Sequence, residues 1–236
     1  MPDTATAARP RHFSRLARAV LAVPTAVVAI LACVALPART AEIVHGQDGN
    51  LHIVTVSGEI VGGDADRFRR AVAAIPRTTV TAPLVVLESP GGLVVEGLQI
   101  GETIRAKGFA TGVAAKKLCA STCGLIWLAG SQRFVSSRAR IGFHAAFVEN
   151  AGGVRETGLG NALIGAYLSR LGLSYRAIAF ATSAAPGEMA WLHAGEAKRA
   201  GIDVVVLRAD AAPADVPSGS PHRALQPLAW GWNIPR

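Results

Sequence analysis

The sequence predicts an α/β fold with a largely parallel sheet. Short apolar strands alternate with helical patterns along the chain. Glycine or small-residue turns join a strand to the helix after it. Half of the 236 residues are apolar and 17% are charged, which is enough for one sizeable core, so a single folded domain is expected. In such sheets ligands gather at the carboxyl ends of strands.

The elements follow in order. Residues 50–61, NLHIVTVSGEIV, alternate apolar with polar or small residues and read as a strand. In GGDADRFRRAVAAI, Asp64 or Asp66 can cap a helix on which Phe68, Val72 and Ile75 recur at helical spacing. A short strand from Pro83 to Leu87 breaks at Ser89-Pro90-Gly91-Gly92. LVVEGLQIGETIRAKG is a helix with Leu93, Leu98, Ile100 and Ile104 inward and Gly108 at its end. FATGVAA is a strand with Ser121 at its far end, and GLIWLAG a buried helix. QRFVSSRARIGFHAAF offers two short strands, with His144 at the tip of the second. ETGLGNALIGAYLSRLG and SYRAIAFATSA read as helices. WLHAGEAKRAGID is a short helix leading into the strand VVVL.

The termini differ from this body. Residues 1–40 hold five arginines against Asp3, a charge of +4, so only +4 of the total +8 is left for the rest. That remainder forms no basic stripe with interleaved aromatics, which argues against nucleic acid as a partner. RPRHFSRLAR precedes AVLAVPTAVVAILACVALPA, a positive segment before an apolar one. A cleaved signal peptide, a retained anchor through residues 19–38 and a lipoprotein modified at Cys33 (from ILAC) are the three leading readings, with a buried N-terminal helix as the bland alternative. All three put the folded part outside the cytoplasm, secreted or anchored in the inner membrane, hence periplasmic or extracytoplasmic. The chain divides into a signal peptide or membrane anchor (1–41), an α/β domain (42–209) and a Pro/Ala-rich tail (210–236) carrying Trp230 and Trp232.

Without the signal, two cysteines remain, Cys119 and Cys123. An even count in an oxidising compartment suggests a structural disulfide; two buried thiols or a redox pair are the alternatives. Two cysteines at this separation, without paired histidines, are no zinc ligand set, and no metal is expected. Lys116 and Lys117 read as a solvated strand edge, and Glu149 as a loop charge.

Three features fall at strand ends. ESPGG places two residues able to take positive φ before a helix whose first N–H groups are unpaired. Ser121 stands at a second strand-to-helix junction, as either a helix N-cap or an exposed nucleophile on a tight turn. His144 follows the short strand RIGFH. Each has a bland reading alone; their order and spacing suggest convergence.

In that order they resemble the family of the Clp protease proteolytic subunit, within the crotonase-like superfamily, over roughly Val54 to Val206. SGEI resembles the family's early glycine-bearing strand, and LVVLESPGGLVVEGLQIGETIRAKG its oxyanion segment and following helix. CASTCGLIWLAGSQRFVSSRARIGFH resembles the run from nucleophilic serine to catalytic histidine, slightly shortened at Gly130-Ser131-Gln132. HAGEAKRAGIDVVV resembles its closing helix and strand. The resemblance implies a superhelix of strand-strand-helix units, Ser121 as nucleophile and His144 as general base. It also implies oxyanion donors at the N–H groups of Gly91 and Thr122, a peptide or protein substrate, a homo-oligomer and no cofactor. A serine hydroxyl needs a base to take its proton, and a tetrahedral intermediate needs preorganised N–H donors.

Two departures matter. The family's third member, an aspartate, falls near Met189, which cannot orient a histidine. Glu188, one residue away, could serve after a register shift, while Asp203 matches a structural position. Cys123 replaces a usual glycine, and its pairing with Cys119 would staple the turn carrying Ser121. The expectation is therefore an exported or membrane-anchored serine peptidase. The alternative is a catalytically degenerate, Clp-like peptide-binding or scaffold protein. Acyl-coenzyme-A chemistry is a weaker third reading.

Overall fold

The computed structural model describes residues 40–76, 82–193 and 195–207. The expected signal or anchor up to residue 39, with Cys33, and the tail from residue 210, with Trp230 and Trp232, lie outside the described residues.

The main sheet has six strands in the order β1-β2-β3-β4-β6-β11. These are β1 (Glu42–Asp48), β2 (Leu51–Ser57), β3 (Leu84–Glu88), β4 (Ala110–Val113), β6 (Arg133–Ser136) and β11 (Val205–Leu207). All its pairs are parallel except the β1–β2 hairpin. Alternation along β3 serves both faces: Val85 and Leu87 join the main core, while Leu84 and Val86 join a smaller cluster with Leu51 and Phe134. Strand β1 escaped the sequence reading. The turn Gly49-Asn50, with Gly49 at φ 56, is the signal that could have found it.

Among the described residues five helices contribute to the main core: α1 (Asp64–Ala73), α2 (Val94–Lys107), α3 (Thr122–Leu128), α4 (Gly158–Arg170) and, through Ala177 and Ala181, α5 (Tyr175–Thr182). Phe68, Val72 and Ile75 are buried as their spacing requires, as are Leu98, Ile100 and Ile104. Leu93 is not: it precedes α2 at its N-cap position and is 55% exposed, its N–H bonded to the Ile60 carbonyl. Neither aspartate caps α1, whose N-cap is Gly63. Asp64 is the first helical residue, and its buried carboxylate accepts from Val61 N–H at 2.7 Å and pairs with Arg67. Every residue of α3 is buried. Its Trp127 donates to the Phe134 carbonyl (3.1 Å) and its Leu125 carbonyl accepts from Tyr167 of α4 (3.1 Å). Helix α5 (Tyr175–Thr182) begins at Ser174, whose hydroxyl accepts from Ala177 N–H.

A second sheet, in the order β10-β7-β5, holds β5 (Leu118–Ala120) parallel to β7 (Arg140–Phe143), with β10 (Ala190–Leu192) antiparallel to β7. It corrects two expectations. FATGVAA does not run on to Ser121: β4 stops at Val113, Lys116 turns the chain at φ 65, and the separate strand β5 leads to Ser121. Nor is WLHAGEAKRAGID a helix, because Trp191 and Leu192 pair with Gly142 and Ile141 and turns follow over 195–201. The hairpin of β8 (Phe147–Asn150) and β9 (Gly153–Glu156) is exposed throughout. It places Glu149 on a strand rather than in a loop.

Candidate active site

Ser121 joins β5 to α3 with φ 57 and ψ −127. A non-glycine residue held there costs about 1–3 kcal/mol, which the surroundings must offset. Three contacts do so. The Ser121 N–H donates to the Gly142 carbonyl of the neighbouring strand at 2.8 Å. A disulfide joins Cys119 to Cys123 across the turn, both fully buried. Helix α3 beyond it is enclosed on all sides. Ser121 occupies the N-cap position of α3, yet its side chain makes no capping hydrogen bond. A serine that served only to cap would spend its oxygen on an N–H of the first turn; this one leaves its hydroxyl uncommitted to the helix.

The glycine turn is stitched to this elbow. Ser89 N–H donates to the Leu118 carbonyl (2.9 Å) and Ser89 C=O accepts from Ala120 N–H (3.0 Å), so the end of β3 runs beside β5. Gly91 has φ 108. A Cβ there would lie 2.7 Å from Ser121 Cβ and 3.1 Å from Ser121 Oγ, so only glycine lets the main chain come this near. Gly92, at φ 142, leaves no room either: a Cβ would stand 2.0 Å from the Ile60 carbonyl oxygen. The Thr122 hydroxyl donates to the Gly92 carbonyl at 2.9 Å. A residue that the sequence reading passed over, Ser89, is 2% exposed, and its Oγ accepts from Gly91 N–H at 3.0 Å.

His144 follows β7. The β5–β7 ladder pairs Ala120 with Gly142, so Ser121 and His144 leave the carboxyl ends of adjacent parallel strands. Among the described residues no hydrogen bond joins the Ser121 hydroxyl to the imidazole; such bonds are often loose before substrate binds. The ring Nδ1 lies 2.8 Å from the Ala145 carbonyl oxygen. A carbonyl only accepts, so this contact places a proton on Nδ1; in the neutral ring the lone pair is then on Nε2. The ring also rests 5.4 Å from the Phe147 ring.

The remaining candidates are dispersed. The β7–β10 register, extended by one residue, puts Met189 opposite His144, and Met189 packs on Gly142, where a Cβ would stand 2.6 Å from its sulfur. Glu188 lies in the exposed turn before β10, its N–H bonded to the Ala185 carbonyl. Lys116 is exposed, and Lys117 pairs with Glu88 at 2.8 Å. Asp203 acts on Arg133: burial lowers the Arg133 pKa and the Asp203 charge opposes that. Arg133 Nε donates to the Leu128 carbonyl at 2.8 Å.

No protein-family model and no curated protein matches the chain. Solved structures do. The 1510-N membrane-bound stomatin-specific protease, as a serine-to-alanine mutant, aligns over 65% of this chain and 77% of its own at 18% identity and a TM-score of 0.54. A lysine-to-alanine mutant of the same protease, in complex with a substrate peptide, aligns over 65% and 73%, also at 18% identity and 0.54. The ClpP protease catalytic domain from Plasmodium falciparum aligns over 67% and 84% at 22% identity and a TM-score of 0.50. The likeness is one of fold: a mixed α/β domain with a largely parallel sheet, like that of ClpP-type proteases.

Proposed function

We propose, taking the ClpP-like fold as premise, that this protein is a serine peptidase. In this reading Ser121 attacks a peptide carbonyl, His144 Nε2 takes its proton and returns it to the leaving amine, and the N–H groups of Gly91 and Thr122 receive the oxyanion. The observation that carries the reading is Ser121 itself: a positive-φ serine on a strand-to-helix elbow, with no cap to make and Gly91 against its hydroxyl. Gly91 N–H must leave Ser89 Oγ to serve an oxyanion, which requires the Ser89 side chain to turn to another χ1 rotamer. Met189 carries no carboxylate and Glu188 is exposed, so in this reading the Ala145 carbonyl is the group that orients the histidine.

A peptide or protein substrate is supported by the same fold holding a substrate peptide in the stomatin-specific protease. Location outside the cytoplasm, secreted or anchored in the inner membrane, is supported by the Cys119–Cys123 disulfide and the charge pattern of the first forty residues. Among the described residues no helix is long and apolar enough to cross a membrane, so an anchor would come from residues 19–38. Homo-oligomerisation is supported by the exposed apolar side chains of Phe147, Val148, Val154 and Leu159 around the β8–β9 hairpin.

A fluorophosphonate probe tests the reading. Labelling at Ser121 that disappears in His144→Ala is the expected result. Folded protein that resists the probe at every pH from 6 to 9 would instead favour a peptide-binding module without turnover.

A further inference from the structure

We infer that Asn161 is a positioning residue for His144, acting through the peptide unit between Ala145 and Ala146, with Glu156 at the far end of the chain of hydrogen bonds. The inference deepens the serine-peptidase reading and rests on it for its catalytic meaning.

The Ala145–Ala146 peptide is bonded at both polar ends. Its carbonyl faces His144 Nδ1 at 2.8 Å. Its N–H, on Ala146, donates to Asn161 Oδ1 at 2.7 Å. The other end of the Asn161 amide, Nδ2, donates to Glu156 Oε1 at 2.5 Å. The orientation of this amide follows from its partners. A flipped Asn161 would set its NH₂ against the Ala146 N–H and its oxygen against a carboxylate.

All the links point the same way. Carboxylate, side-chain amide, main-chain amide and imidazole each accept from, or donate to, the next in one sense, so each polarises its neighbour. The outcome is a more basic oxygen at Ala145, and hence a firmer hold on the Nδ1 proton. A carboxylate beside the imidazole would do this directly. Here the residue opposite His144 in the extended β7–β10 register is Met189, which has no carboxylate and packs on Gly142, and the negative end stands two amides away. Glu156 is exposed, so its charge is screened and contributes less than the fixed geometry of Asn161.

The packing holds this peptide unit still. Ala145 N–H donates to the Ala184 carbonyl and Ala146 C=O accepts from Thr157 N–H, each at 2.8 Å. Both alanines are buried. Thr157 is the N-cap of α4, so the helix carrying Asn161 is tied to the strand end carrying His144. Gly160 permits this approach: a Cβ there would lie 2.7 Å from Ala146 Cβ and 2.8 Å from Thr157 Cγ2.

The test reads the imidazole directly, by nitrogen-15 NMR of histidine-labelled full-length protein at pH 8, with the His144 signals identified by their loss in His144→Gln. The expected wild-type spectrum shows the Nδ1–H tautomer. In Asn161→Ala the signals move toward the Nε2–H tautomer, and probe labelling of Ser121 slows by roughly tenfold to a hundredfold, short of the about 10⁴-fold loss known for a fully wrong tautomer. Asn161→Asp paired with Glu156→Gln keeps an acceptor for the Ala146 N–H without setting two carboxylates against each other, and restores both readouts. Unchanged imidazole signals in a folded Asn161→Ala protein overturn the inference. So does an Nε2–H tautomer in the wild type, which decides the matter even if Asn161→Ala fails to fold. A tautomer that shifts as described, in protein that no probe labels, upholds the positioning role and rejects the peptidase reading instead.

Discussion

Gly91 and Ser121 meet without a side chain between them: the space a methyl group would need at Gly91 is already filled by Ser121 Cβ and Oγ. Gly91→Ala should therefore harm both fold and site. Positive φ alone costs a side chain about 1–2 kcal/mol, and displacing the N–H from Ser121 should slow probe labelling by about 10²-fold or more, the scale of a lost oxyanion donor. Gly165→Ala is the control. Nothing lies within 4 Å of its would-be methyl in α4, so helix propensity should raise stability by about 0.5–1 kcal/mol. Urea unfolding and labelling kinetics on the pair check both statements.

The Cys119–Cys123 disulfide spans a turn that holds Ser121 at φ 57. Reduction should release that turn. For so short a loop, chain entropy alone predicts a loss of about 2 kcal/mol. Labelling of Ser121 should slow on reduction and recover on reoxidation. Mass spectrometry showing two free thiols in exported, fully active protein would refute the clamp.

Tyr167 ties α4 to α3 through the Leu125 carbonyl. Tyr167→Phe leaves that buried acceptor with one partner fewer and should cost about 1 kcal/mol, a fall in Tm of about 2–4 °C at this chain length. Gly101→Ala should cost more, about 1–3 kcal/mol, since its methyl would lie 1.9 Å from the Tyr167 oxygen. Burial, helped by Glu102, raises the phenol pKa. The folded state thus resists ionisation that the unfolded state accepts, so stability falls as pH rises above 10. Tyr167→Phe should lessen that slope.

On the β1–β2 hairpin, His45 Nε2 and His52 Nδ1 lie 3.1 Å apart. Burial, then the neighbouring His52, lowers the His45 pKa below 6.5. A base depressed in the folded state contributes stability that is present above the unfolded pKa and lost as pH falls through the folded one. Urea midpoints should therefore drop between pH 7 and pH 5. His45→Gln should flatten the decline; His52→Gln should flatten it only in part, because burial remains.

The β8–β9 hairpin exposes Val148 (44%) and Val154 (54%), and Leu159 beyond it is 74% exposed. If copies of the chain cover this surface, Val154→Glu should lower the sedimentation-velocity mass without shifting the unfolding midpoint by more than about 0.5 kcal/mol. An unchanged mass on mutation would place any interface elsewhere.

Much of the site was legible in the residues. Strand-then-helix alternation is a local pattern, and Pro-Gly-Gly, Ser121 and His144 each sit where such a pattern breaks. The Asp-Gly-Asn turn after β1 is also a local signal. Strands of four residues were harder, because β8 and β9 are too short to show a period and expose both faces. The break between β4 and β5 is marked by Lys116-Lys117, a charged pair between two apolar stretches, with Lys116 at φ 65.

By itself, then, the sequence determined the α/β class, the residues that end the strands and the helix faces that enter the core, since all of these depend on near neighbours in the chain. Only the tertiary structure decided which groups surround them: Ser89 on the Gly91 N–H, Met189 opposite His144, and Asn161 behind the Ala145 carbonyl. Those contacts join residues on different strands and helices. Their geometry follows from how the elements dock, and docking is governed by the packed core as a whole, which no local pattern encodes.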